Sequence, residues 1–424
     1  MIKQAQEERV VFTEAMRETH TVLVPQMAPY HFGYLVEAFK SEGYKAELLQ
    51  NDSIELIHEG MKYSHNDICV PAMLVIGQFI DALKTRPEGT DKVALIITQT
   101  GGACRASNYI SLLRKALKKA KLGHVPVISL NASGFEKNPG FVVGPVLLHK
   151  LHDAILLGDL MMMLTQHAKA YAQDAAALET VIDGCEQRMH HYFKHRRLLT
   201  WHRANKTAQW MIDAFKALSF SQEPKPKVGV VGEIYVKYSP LGNNHLEALL
   251  EQEGVEVVTP PIYDFFLYSF DSKAHDIKRY GGKATTRWAF LSFVKYIEWR
   301  RGKIRRKLKK AGYDAPVPYA KIKALVNDFL DVGLHAGEGW LLTAEMIDLI
   351  THGVPNIVCT QPFGCLPNHI AGKGMFKKLK KVYPEANIVA IDYDTSASTI
   401  NQKNRISLML ANAFEQLKIK EKSS

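Results

Sequence analysis

Most of the signatures that would assign a function outright are missing from this 424-residue sequence. There is no Walker A pattern, and no GxGxxG follows a predicted strand, so the chain is not expected to hydrolyse ATP by itself or to hold a dinucleotide in the usual way. No GxSxG elbow occurs, which leaves serine-hydrolase chemistry without support. Cysteine is scarce, with five residues at 69, 104, 185, 359 and 365, and neither CxxC nor CxxCxxC is formed. So few thiols argue against a disulfide framework. No uninterrupted apolar run approaches the ~18 residues of a membrane span. The most apolar region, Gly140 to Leu164, is broken by Lys150, His152, Asp153 and Asp159. The opening MIKQAQEERVVF lacks the apolar core of a signal peptide, so a cytoplasmic protein without a membrane partner is expected.

What is present is an ordinary globular composition, 46% hydrophobic and 23% charged, in a chain long enough for two or three domains. Net charge is +11. The basic excess gathers in Lys115–Lys121, in RRGKIRRKLKK (Arg300–Lys310) and in Lys373–Lys381. Solvated helix faces account for such runs. The competing reading is a docking face for an acidic partner or for the phosphates of a nucleotide-like substrate. No helix–turn–helix, finger or RNP pattern accompanies the charge, so nucleic acid is not expected as a partner.

Periodicity divides the chain in three. Strand candidates at His20–Met27, Ala46–Leu49, Val93–Thr98 and Val125–Leu130 alternate with helical patterns at Tyr34–Ser41, Met73–Leu83 and Tyr109–Ala120. This predicts a first α/β domain over 1–144 with a parallel sheet. Residues 145–222 read as helical. Behind the Glu223-Pro224-Lys225-Pro226 linker, α/β alternation resumes over 223–424, with strands at Val228–Val231, Val255–Val258, Asn356–Val358 and Asn387–Ile391. A basic helical insertion is expected at about 273–312. The chain thus reads as two similar α/β halves joined by helices.

Asn356 to Ile370, NIVCTQPFGCLPNHI, is the densest stretch. A buried strand runs into a Pro/Gly-rich loop carrying Cys359 and Cys365, and open α/β folds place ligands at such strand ends. YSHNDICVPA around Cys69 and ITQTGGACRASNY around Cys104 are comparable loops, whereas Cys185 sits in a polar helical stretch. Three readings of the four loop thiols compete. They are buried small hydrophobes, zinc ligands together with His65 and His369, or iron–sulfur ligands with Gly101-Gly102 and Gly364 allowing close backbone approach. Spacing does not separate zinc from iron–sulfur. His190, His191, His195 and His202 offer a further metal possibility, but no carboxylate or thiol stands at matching spacing, and a solvated helical face is expected. Gln99, Asn108, Tyr235, Glu338, Trp340, Asn368 and His369 could line a pocket. Glu338 could equally cap the following helix, and Asn368 could serve only to turn its loop.

The segments HTVLVPQMAPYHF, HNDICVPAMLVIGQ, ITQTGGACRASNYI, VPVISLN, VGVVGEIYVKYSP, GEGW, NIVCTQPFGCLPNHIAGKG and IDYD occur in the order found in the 2-hydroxyacyl-CoA dehydratase subunit family. The chain most closely resembles the C-terminal module of CoA-substrate-specific enzyme activase proteins, over nearly its whole length. The resemblance implies two flavodoxin-like domains with a [4Fe-4S] cluster between them, ligated by Cys69, Cys104 and Cys365. Cys359 is the candidate for a fourth or exchangeable ligand. Three thiolates would leave one iron open as a Lewis acid and electron relay. A related double-cubane [8Fe-9S] cluster takes six cysteines from one chain, more than this chain has, which favours the single cubane. In the dehydratases an ATP-hydrolysing activator injects a low-potential electron, and a ketyl radical of the 2-hydroxyacyl-CoA expels its hydroxyl group. The resemblance therefore implies one component of a dehydratase- or reductase-type system. Its partners would be an activator, a second dehydratase-like subunit or a second copy, and an acyl-CoA substrate. A non-catalytic electron-transfer or scaffold subunit and a zinc-stabilised structural protein are the alternatives.

Overall fold

A computed structural model describes residues 9–65, 67–99, 102–130, 136–194, 201–396 and 398–423. The protein is α/β, with two four-stranded parallel sheets. Two compact units are formed. One comprises Met1–Ala154 with Phe193–Leu198 and Tyr238–Asn244; the other comprises Ile155–Tyr192, Leu199–Lys237 and His245–Ser424. No helix among the described residues is long and apolar enough to cross a membrane.

In the first unit the strands are β1 (Thr21–Val24), β2 (Lys45–Leu48), β3 (Val93–Thr98) and β4 (Val127–Leu130), ordered β2-β1-β3-β4. Val22 lies opposite Ala46 on one side and Ala94 on the other. The first five residues of β3, VALII, are all buried, as expected of a central parallel strand covered on both faces. The helices Pro29–Ser41, Val70–Lys84 and Tyr109–Lys119 connect successive strands. Val70–Lys84 is buried almost all round, while Tyr109–Lys119 buries only Ile110, Leu113, Ala116 and Leu117, a single stripe at helical spacing.

The second unit repeats this order with β5 (Lys227–Gly232), β6 (Glu256–Val258), β7 (Asn356–Pro362) and β8 (Asn387–Tyr393), arranged β6-β5-β7-β8. The pleat sends alternate residues to two separate cores. Val228, Val230 and Val358 pack with Leu246, Leu250, Ile406 and Leu410 on one face. Val231, Ile357 and Cys359 pack with Met346, Ile347 and Ile350 of the helix Trp340–Thr351 on the other.

Among the described residues all eight strands overlap segments that the sequence marks as strands, but β7 runs on past Val358 to Pro362, so Cys359 lies inside the strand and not in the loop expected to carry it. The basic insertion differs from expectation, because it is two helices, Ile262–Tyr280 and Ala284–Ala311, and it begins earlier than residue 273. The cause is Gly281-Gly282, with φ of 93° and 151°, a backbone that side chains with a Cβ rarely adopt and that ends a helix. The two helices are tied by the buried ion pair Arg301–Asp264 at 2.8 Å. The short helix Leu56–Tyr63, which the periodicity does not announce, packs on Val70–Lys84 through Gly60 and Gly77.

A Cβ at Gly77 would lie 1.9 Å from the carbonyl oxygen of Leu56, and no side-chain rotation relieves a clash with backbone. Gly77→Ala is expected to cost about 1–3 kcal/mol, read as a lower denaturant midpoint. Gly33→Ala, inside the helix Pro29–Ser41 with open space around it, should instead raise stability by up to ~1 kcal/mol.

Candidate functional site

In both units the order of strands reverses between the first and third strand, and that crevice at the carboxyl edge is where open α/β sheets hold ligands. The loop after the third strand carries a cysteine each time, Cys104 after β3 and Cys365 after β7. Each of these thiols, and Cys69, occupies the position immediately before a helix or helical turn. Cys69 precedes Val70–Lys84, Cys104 precedes the 3-10 turn Arg105–Asn108, and Cys365 precedes Leu366–Ala371. Backbone N–H groups at a helix start are not spent inside the helix and can donate to such a sulfur.

In the first unit, the Cys69 and Cys104 loops are stitched together. Cys69 Sγ lies 2.8 Å from the Tyr109 hydroxyl, and Arg105 donates to the Asp67 carbonyl at 3.0 Å. Cys104 Sγ accepts from the Ala106 N–H at 3.5 Å, and Ser107 Oγ donates to the Cys104 carbonyl at 2.8 Å. Both thiols are half-buried. Gln99 is consumed locally, donating to the Ser107 carbonyl at 3.3 Å and accepting from Ser129 Oγ at 2.8 Å. Asn108 begins the next helix without a side-chain capping bond, and His65 is exposed. Gly101 and His195 lie outside the described residues.

In the second unit Gly364, at φ 73°, turns the chain so that the Cys365 N–H reaches the Pro362 carbonyl at 3.1 Å. Asn368, fully buried one turn on, donates to Cys365 Sγ at 3.2 Å and to Glu338 at 2.9 Å. Its Oδ1 is buried without a partner, as is Oε1 of the equally buried Gln361. Glu338 accepts from the Ile234 N–H at 3.1 Å, and Glu233, at the end of β5, accepts from the Val236 N–H at 2.8 Å. Glu338 therefore does not cap the helix after it, and Asn368 does more than turn its loop. Burial and the neighbouring Glu338 push the Glu233 carboxyl up to about 8, and burial likewise raises Glu338. Burial first, and then the charge of Glu338, lift the Cys365 thiol to about 12. Behind this layer Lys237 pairs with Glu345 at 3.0 Å, and burial raises Glu345 to about 7.

Glycine aims Glu338. Gly337 and Gly339 have φ of 59° and 45°, and a Cβ at Gly339 would lie 2.2 Å from the Leu334 carbonyl oxygen. Tyr268, edge-on to the buried Trp340 at 5.2 Å, donates to the Gly337 carbonyl at 3.0 Å, so Trp340 supports the loop from the core. Tyr235 is buried. The Nδ1 of His369 lies 2.9 Å from the Cys365 carbonyl oxygen. Phe363, Leu366 and Ile370, around Cys365, are exposed.

Cys359 is 0% exposed inside the apolar face of β7, and Cys185 is 0% exposed in the helix Ala175–Phe193; burial takes both thiols to about 12. His190, His191 and His202 are on the surface. Among the described residues, no group of three or more His, Cys, Asp or Glu is placed to hold a metal ion. Within single units the thiols therefore come as a pair, Cys69 and Cys104, and as Cys365 with its amide. Glu233 escapes sequence reasoning. Its only signal is an acid directly after an apolar strand, in VVGE, with a second acid in GEGW held between glycines.

Comparison with known protein families and with curated proteins finds no match. The fold and the loops define the class, an α/β protein of two parallel four-stranded sheets with cysteines at the helix starts beside each strand crossover.

Glu233 binds a proton in the folded chain up to about pH 8 and in the unfolded chain only to its ordinary value of 4.5. Its contribution to stability is thus full below about 4.5 and lost as pH rises toward 8. Unfolding free energy measured between pH 5 and pH 8 should fall less steeply in Glu233→Gln than in the wild type. Equal slopes would show that the pair shares no proton.

Proposed function

We propose that Cys69, Cys104 and Cys365 ligate one [4Fe-4S] cluster held by two flavodoxin-like units. On this reading the protein is the electron-accepting component of a dehydratase- or reductase-type system served by a separate ATP-hydrolysing activator. The observation that supports it most is the recurrence of a cysteine on the loop after the third strand, at the start of a helix, in both units. The sequence resemblance points to the same three residues.

The donors suit the group. They are thiols on loops with N–H donors nearby, the Ala106 backbone N–H at Cys104 and the Asn368 side-chain amide at Cys365, and such donors suit the sulfurs of an iron–sulfur centre. The Cys365 thiol, raised by burial and carboxylates, stays protonated alone, whereas metal coordination deprotonates a thiol outright. When bound, the cluster supplies low-potential electron transfer and, at an iron without a thiolate, Lewis acidity. The chain's own residues provide the surroundings. Tyr109 holds Cys69, Asn368 orients Cys365 and links it to Glu338, and Glu233 keeps a proton at neutral pH beside that link. An acyl-CoA thioester is the substrate class proposed, with a second subunit or a second copy completing the assembly.

Protein purified without oxygen should be brown and carry about four iron and four sulfide per chain. Cys104→Ala and Cys365→Ala should each lose most of the iron, and Cys359→Ala should keep it. Full iron content in Cys104→Ala, or a colourless wild type with one zinc per chain, would refute the assignment.

A further inference from the structure

The helix Ala284–Ala311 carries ten lysines and arginines and a single acid, Glu298. Arg300 and Arg301 are turned inward and buried. Glu298 is taken by Arg305 at 2.8 Å and Arg301 at 3.4 Å. Among the described residues, Lys295, Arg306, Lys309 and Lys310 then have no carboxylate partner, and all four are exposed. The same surface shows large aromatic rings. Trp299 is 46% exposed and Trp201, from the helix Trp201–Lys216, is 45% exposed. The two rings meet edge-on at 5.6 Å, Tyr296 stacks on Trp299 at 6.2 Å, and Lys303 Nζ lies 5.3 Å and 5.9 Å from the two indoles. Beside Trp299 runs a groove of about 560 Å³, lined among others by Lys295, Trp299, Gly302, Arg305 and Arg306, with Glu298, already paired with Arg305 and Arg301, also on its wall. Lys295, Trp299, Gly302 and Arg306 follow one another at helical spacing, so the missing side chain of Gly302 opens the groove between an indole and a guanidinium.

We propose that this face docks an acidic protein segment, with carboxylates meeting Lys295 and Arg306 and an apolar side chain entering the groove beside Trp299. Tryptophan, tyrosine and arginine around a cleft are the composition of a protein–protein hot spot, and four unpaired cations select an acidic partner. The packing disfavours the other polyanions. Stacking of bases needs open aromatic faces, and the Trp299 ring is engaged by Tyr296 and Lys303. A helix lying in an anionic bilayer surface turns its aliphatic stripe outward, whereas Ile297, Ile304 and Leu308 of this helix are buried. The proposal is independent of the cluster chemistry.

The test uses the full chain and a synthetic peptide of alternating glutamate and leucine, with affinity read by calorimetry at two salt concentrations. Trp299→Ala leaves the charge unchanged and should weaken binding about tenfold. Lys295→Glu with Arg306→Glu should weaken it at least as much and flatten the salt dependence. Trp288→Ala, which removes an exposed indole from the same helix away from the groove, should change affinity less than about twofold. Circular dichroism melts confirm that each variant is folded. The proposal is overturned if the peptide does not bind, if Trp299→Ala and Trp288→Ala bind alike, or if a single-stranded oligonucleotide or phosphatidylserine vesicles bind more tightly than the peptide.

Discussion

Every pair of neighbouring strands in both sheets runs parallel, so all strands of a unit end on the same edge. The connections out of the first and third strands then leave toward opposite faces and part from each other. This constraint sorts the cysteines before any chemistry is considered. Cys104 and Cys365 follow third strands, and the Cys69 loop is bonded to the Cys104 loop. Cys359 is still within β7, where the pleat turns it into the apolar core, and Cys185 lies in the middle of a helix. The division between loop thiols and core thiols is thus a property of strand order and pleat.

The second unit adds a polar layer that a stable core would avoid. Glu338 and the Asn368 amide are buried beside Cys365 with the half-buried Glu233 next to them, and Lys237 with Glu345 lies behind. Orphaned acceptors on Asn368 and Gln361 each carry a desolvation penalty of about 1–3 kcal/mol. The strained turn at Gly337 and Gly339 holds Glu338 in this layer and leaves no room for a Cβ at Gly339. Structure that costs stability and is built at a ligand-binding edge is the usual mark of a functional site.

Strand positions were legible because β3, β5 and β7 are short apolar runs bounded by turn residues, and a period of two or a continuous run needs no tertiary information. The helix pair within the insertion was half legible. The basic run marked a helix, but the break at Gly281-Gly282 was hidden by the strength of the pattern around it. Cys104 and Cys365 stood out through flanking glycine and proline. The bond from Tyr109 to Cys69 and the approach of Glu233 to Glu338 join residues 40 and about 100 positions apart, and no local pattern encodes such distances. Asn368 was visible as a loop residue, yet its two hydrogen bonds depend on the helix start at Cys365, which only the folded backbone defines.

The charge around Cys365 bears on what the proposed centre could do. Carboxylates near an iron–sulfur cluster lower its reduction potential, while N–H donors to its sulfurs raise it. Asn368 sits at the junction, donating one hydrogen to Cys365 Sγ and the other to Glu338. Burial, and after it the neighbouring Glu338, push the Glu233 carboxyl up to about 8, so Glu233 still carries its proton at neutrality. Loss of that proton would add a negative charge beside the amide and make the proposed centre harder to reduce. Proton occupancy of the pair and electron occupancy of the centre would then be linked, each favouring the other.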